Sequence, residues 1–195
     1  MKKVNPILNF FNNLFGASLT AAQGELVLNA YKKESFKKKT LIFSAGEANT
    51  RHYIIEKGLL RLYLIDPKGK EINILFAKEN QIIGDLATPE PTNFYLETTE
   101  DSIVYSIDEK KLQDLMNYLS LNNQLNSNNR LRRSYIFIQQ RLVSILSKPA
   151  EENYLDFQQK HPDLLQRLPQ YHIASYLGIS PEFLSKIIAK TTKKN

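Results

Sequence analysis

The stretch from Leu168 to Lys190, LPQYHIASYLGISPEFLSKIIAK, constrains the fold more than any other. Ile173 and Leu177 share one helical face, with the small Ala174 beside Ile173. Pro169 suits the first position of a helix, where a missing N–H costs nothing. Gly178 can take the left-handed conformation that ends a helix. Ile179 then fills a corner, Ser180 is a good N-cap, Pro181 a good first helical residue, and Glu182 favours the positive end of the next helix. Leu184, Ile187 and Ile188 form a second apolar face. Two helices that cross steeply through a short turn need a small residue at the crossing and a permissive one in the turn. The outward positions Glu182, Ser185, Lys186 and Ala189 include nothing bulky and apolar, so this face is expected to fit a DNA major groove. The segment is therefore read as a helix-turn-helix.

The preceding chain changes period twice. Val4 to Phe15 has Ile7, Leu8, Phe11, Leu14 and Phe15 at helical spacing, which predicts a short amphipathic helix packed on its own domain. From Phe36 to Ile107 short apolar runs alternate with turns such as Asp66-Pro67-Lys68-Gly69, the pattern of an all-β barrel or sandwich. Asp108 is a candidate N-cap. A long helix is expected from about Leu121 to Ser147, stopping before Pro149. Leu131, Tyr135, Ile138, Leu142 and Ile145 are spaced 4, 3, 4, 3, a heptad seam that pairs either with a second copy or with its own domain. Glu151 to Arg167 reads as a further helix with its connections.

Charge is distributed unevenly. Residues 1–129 hold 15 Lys/Arg against 15 Asp/Glu, whereas residues 130–195 hold 11 against 5, so the whole net charge of +6 lies in the last third. Such an end either meets a polyanion or is simply solvated. With no cysteine, disulfides and thiolate-bound clusters are excluded. His52, His161 and His172 lack metal-ligand spacing, so neither a metal nor a cofactor is expected. No signal peptide or membrane-length apolar run is visible, and a cytoplasmic protein without membrane contact is expected.

With these residues in place the chain resembles the Crp/Fnr family of bacterial transcription regulators over nearly its whole length. The motifs are Tyr53-Ile54-Ile55-Glu56-Lys57-Gly58, Lys68-Gly69-Lys70-Glu71, Ile83-Gly84-Asp85-Leu86, the long helix, and YHIASYLGISPEFLSKI. The resemblance implies an α+β chain: an N-terminal double-stranded β-helix (β-roll) sensory domain at 1–120, a central dimerisation helix at 121–148, and a C-terminal helix-turn-helix domain at 149–195 that lacks most of the family's wing. Lys190, Lys193 and Lys194 are expected to replace part of the wing's phosphate contacts as a basic tail.

The resemblance further implies a homodimer bound to double-stranded DNA, with RNA polymerase and a small-molecule effector of unknown identity as further partners. Pro181, Glu182, Ser185 and Lys186 are expected at base edges, and Gln170 and Ser180 at phosphates. The effector pocket would use Gly84, Asp85, Leu86, Thr92 and Asn93 from the roll and Asn126 and Ser127 from the central helix. Cyclic-AMP-binding members hold the phosphate with an Arg-Ser pair; here the equivalent pair is Thr92-Asn93, and no Lys or Arg lies between Lys78 and Lys110. A phosphate without a cation loses its charge-assisted hydrogen bonds, so cyclic AMP is not expected to bind in the family manner. Haem-binding relatives leave His52 as the one candidate ligand. The rival reading is a ligand-binding module acting through a protein partner. An enzyme is not expected, because no nucleophile–base set or phosphate loop is present.

Overall fold

The computed structural model describes residues 5–85, 91–123 and 128–192. Asn5 caps α1 (Pro6–Phe15) by accepting the Ile7 N–H, and Pro6 occupies the first turn, where no amide partner is needed. The expected amphipathic helix is thus present. A second helix, α2 (Ala21–Ala30), follows, opened by a reciprocal capping box between Thr20 and Gln23. Sequence reading passed over α2 because it buries only Gly24 and Val27, too little for a periodic signal.

Among the described residues, eight strands form two four-stranded sheets. One has the order β1 (Lys32–Phe36), β8 (Ser102–Asp108), β3 (Arg51–Lys57), β6 (Ile82–Gly84). The other has the order β2 (Leu41–Phe43), β7 (Tyr95–Thr98), β4 (Leu60–Ile65), β5 (Glu71–Ala77). Strands begin earlier than the expected Phe36 because β1 is a polar, exposed edge strand, KKESF, paired only with β8.

Alternation along β3 explains why its centre, Tyr53-Ile54-Ile55, is apolar on both faces. Tyr53 and Ile55 point into the roll with Phe43, Leu60, Leu62, Ala77, Ile83, Leu96 and Val104. Ile54 points to the other face, where Ile107 joins it beneath Ile7, Phe11, Leu14, Val27, Leu112, Leu115, Met116 and Leu119 of the helices. At β3 both faces are therefore covered, one by the roll interior and one by α1, α2 and α3 (Glu109–Asn123). Asp108 does act at the start of α3: its carboxylate accepts the Lys110 N–H and the Thr50 hydroxyl.

By compactness the chain divides into one unit of residues 1–64 and 75–132, and a second of residues 65–74 and 133–195. The expected long helix is described as α4 (Asn128–Ser147), and residues 124–127 lie outside the described set. The expected single helix over 151–167 is two: α5 (Ala150–Lys160) and α6 (Pro162–Arg167), broken at His161 because Pro162 has no N–H to continue the ladder. The last two helices are α7 (Gln170–Leu177) and α8 (Pro181–Thr192). Pro169 is the N-cap of α7 rather than its first helical residue, with extended backbone at ψ 144°.

Candidate functional site

In the second unit α7 and α8 form the expected helical pair. Gly178 sits between them at φ +73°, the left-handed region, and its N–H closes on the Ala174 and Ser175 carbonyls. Ile173, Ala174, Leu184 and Ile187 are buried, so the two helices are locked through their inner faces. Ser180 caps α8 by accepting the Phe183 N–H at 3.2 Å. Its hydroxyl and the backbone N–H of Glu182 also lower the Glu182 carboxyl below its usual range, the backbone bond acting most strongly. Glu182 therefore stays ionised at the helix start and can accept from a donor such as a base amine.

The outer face of α8 carries Pro181, Glu182, Ser185, Lys186, Ala189 and Lys190, all exposed. Gln170 lies across from it and accepts weakly from the Ser185 hydroxyl at 3.5 Å. Two details differ from the sequence reading. Lys190 is paired with Glu151 at 2.5 Å, so it is an exposed ion pair rather than a free cation. The face is also not wholly polar: Phe183 is 49 % exposed. At 100° per residue it falls between Lys190 and the buried Ile187, at the edge of the outward surface. The sequence reading assigned Phe183 to neither the apolar nor the outward face.

A buried polar knot holds α7 from its other side. Asn73, fully buried, hydrogen-bonds through its side-chain amide to the His172 carbonyl and stands 3.2 Å from the His172 Nδ1. Its backbone N–H donates to Ser175 Oγ at 2.9 Å, and Ser175 in turn donates to the Glu71 carbonyl at 2.8 Å. Arg141 of α4 donates Nη1 to the Ile74 carbonyl at 2.6 Å, and Nη2 to the Asn73 and Tyr176 carbonyls at 3.2 and 3.0 Å. Its guanidinium also lies 4.1 Å from the centre of the Tyr176 ring. Burial lowers the Arg141 pKa from its ordinary value, yet an arginine stays protonated across the working range. Sequence reading missed this knot. A lone Asn inside the apolar strand EINILF, far in sequence from α7, was the only available sign.

In the first unit the two ends of the roll loop meet. The Thr92 hydroxyl donates to the Asp85 carboxylate, and both residues are buried. Thr92 is further fixed by backbone bonds to Gly46 and Glu47. Gly84 faces His52 across the β3–β6 ladder, and a Cβ there would stand 2.8 Å from both the Arg51 carbonyl and the His52 ring. His52 is buried and its Nε2 pairs with Glu109, so the candidate haem ligand is already engaged. Asn93 is exposed. Leu86, Asn126 and Ser127 lie outside the described residues, so the structure brings together Gly84, Asp85 and Thr92 of the expected pocket. On α4, Tyr135 and Ile138 are more than 60 % exposed, Leu142 is 55 % exposed, and Ile145 is also exposed; the side chain of Leu131 is outside the described set.

Residues 33–118 match the family model described as the cyclic nucleotide-binding domain. Beyond that domain, three solved structures share the fold. One is CLP, the c-di-GMP-responsive global regulator of Xanthomonas campestris, at 15% identity and TM-score 0.69, covering 90% of this chain and 93% of that one. FixK2 from Bradyrhizobium japonicum matches at 16% and 0.68, covering 84% and 85%. A protein assigned to the Crp/Fnr family of transcriptional regulators, from Eubacterium rectale, matches at 16% and 0.65, covering 90% and 85%. A comparison with curated proteins finds no match. The domain and the helices behind it thus have the Crp/Fnr fold. No described helix is long and apolar enough to cross a membrane, and no group of three or more metal-ligating side chains occurs among the described residues.

Proposed function

We propose that this chain is a dimeric, sequence-specific DNA-binding transcription regulator, with a sensor at 1–120, a dimerisation helix at 121–148 and a DNA-binding domain at 149–195. One observation carries the reading. The inner face of α8 is locked against α7, while its outer face offers an ionised Glu182, then Ser185 and Lys186, to solvent. A helix braced on one side and polar on the other fits a major groove. Glu182 would accept from a cytosine amine, Lys186 would donate to guanine, and Phe183 at the edge would cover a thymine methyl. Gln170 and Ser180 would contact phosphates. Two copies joined along Leu131, Tyr135, Ile138, Leu142 and Ile145 would set the recognition helices about one duplex turn apart.

The domain match leaves the effector open, and the loop chemistry supports a reading without cyclic AMP. Asp85 is occupied by Thr92, and the stretch from Glu79 to Glu109 supplies no cation for a cyclic phosphate. In-vitro selection of duplexes by the full-length protein tests the main reading. Enrichment of a two-fold symmetric motif is expected, and Lys186→Ala should weaken binding to it by about 1–3 kcal/mol. Failure to enrich any motif would favour the rival, a regulator acting through a protein partner. Calorimetric titration with cyclic AMP should show no heat of binding; micromolar binding would overturn the effector argument.

A further inference from the structure

The turn joining β4 to β5, with the strand ends that flank it (residues 65–74), groups with the C-terminal helices. It is rigid. The Asp66 side chain accepts the Lys68 and Lys70 N–H groups at 2.8 and 2.9 Å, the Gly69 N–H donates to the Asp66 carbonyl at 2.9 Å, and the Asp66 N–H to the Lys70 carbonyl at 3.0 Å. Asp66 thus spends its charge inside the turn. The base of the turn is bolted to α7 by Asn73 and Ser175 and to α4 by Arg141. Its tip presents Lys68 and Lys70, both exposed, and neither is in an ion pair among the described residues. Lys70 lines a cavity of about 200 Å³ together with Ile179 and Pro181, and so stands beside the first residue of the recognition helix. Its charge also reaches Glu182.

We propose that this turn is a second DNA-contacting element, with Lys68 and Lys70 as phosphate-binding cations beside the start of α8. The inference rests on the DNA-binding reading above. When the N-terminal end of a helix enters the major groove, the two phosphate strands pass on either side of it. Cations fixed next to that end on a braced turn meet a phosphate with little loss of side-chain freedom beyond their own. The contact is to the backbone, so it adds affinity on every sequence and specificity on none.

The test is fluorescence anisotropy of the full-length protein on a mixed-sequence duplex of about 30 base pairs, between about 50 and 200 mM salt. Wild type is compared with Lys68→Gln/Lys70→Gln, with Lys70→Gln alone, and with Lys68→Arg/Lys70→Arg, each checked by thermal melting. Each lost phosphate contact lowers the slope of log affinity against log salt by about 0.9, so the double Gln variant should lose about 1.8. Over a fourfold salt range that makes the advantage of wild type about twelvefold larger at the low-salt end. The single variant should lose about half the slope, and the Arg pair should keep all of it. If wild type binds with a steep slope and the double Gln variant matches it, the hairpin proposal is wrong and the DNA reading stands. If wild type binds no duplex at any salt, the DNA reading fails and takes this proposal with it.

Discussion

Arg141 offers the sharpest perturbation in the molecule, because one side chain serves three backbone carbonyls on two other segments. Hydrogen bonds to charged groups contribute about 1.5–3 kcal/mol each, and stacking on an aromatic face adds about 0.5–2 kcal/mol. Against this stands the cost of desolvating the guanidinium, which amounts to several kcal/mol. Most of the gross gain is therefore cancelled in the wild type. Truncation to alanine recovers that desolvation cost but leaves the Asn73, Ile74 and Tyr176 carbonyls without this donor in a partly buried site. The expected net loss is about 2–4 kcal/mol, close to that of other broken buried networks. With a urea slope of about 2 kcal/mol per molar, the unfolding midpoint should fall by about 1–2 M. Arg141→Lys keeps the charge but not the planar fork, and should fall about half as far. Hydrogen exchange localises the effect: amide protection should drop over 73–74 and 170–177 before the roll strands respond. An Arg141→Ala protein with an unchanged midpoint, or with its lost protection confined to β3 and β8, would refute the claim that this residue ties the turn to α7.

Gly84→Ala would drive a methyl to 2.8 Å from the Arg51 carbonyl, which is backbone and cannot step aside; a loss of about 1–3 kcal/mol is expected by thermal melting, and a neutral result would disprove the close approach. The Asp108 carboxyl is held below its ordinary pKa, first by the Thr50 hydroxyl, with burial opposing and the Lys110 and Lys111 amides assisting. A depressed folded pKa stabilises above the unfolded value of about 4 and is lost as pH falls through the folded one, so Asp108→Asn should flatten the acid limb of stability against pH in urea titrations; an unaltered limb would remove Asp108 from the account. Tyr135→Glu/Leu142→Glu places like charges on the α4 seam and should give a folded monomer by sedimentation, whereas a persistent dimer would move the interface elsewhere.

How much of this was legible in the sequence depends on where each signal lies. The pair α7 and α8 was legible because its determinants are local: Gly178, Ser180 and Pro181 act within their own turn, and the apolar faces repeat at helical spacing. The roll was legible from its turns, though β1 was lost because an exposed edge strand needs no apolar residues. The break at Pro162 was also visible in principle, since a proline cannot donate, but the apolar Phe157, Leu164 and Leu165 on both sides outweighed it.

The candidate site divides along the same line. Lys186 and Glu182 could be placed outward from helical period alone. The partner of Lys190 could not, because Glu151 lies 39 residues away and only folding brings them within 2.5 Å. The knot of Asn73, Ser175, His172 and Arg141 is the extreme case, with partners about 100 residues apart in sequence for Asn73 and His172. A buried asparagine in an apolar strand is costly unless something distant satisfies it, so its presence reports a long-range contact without naming the partner.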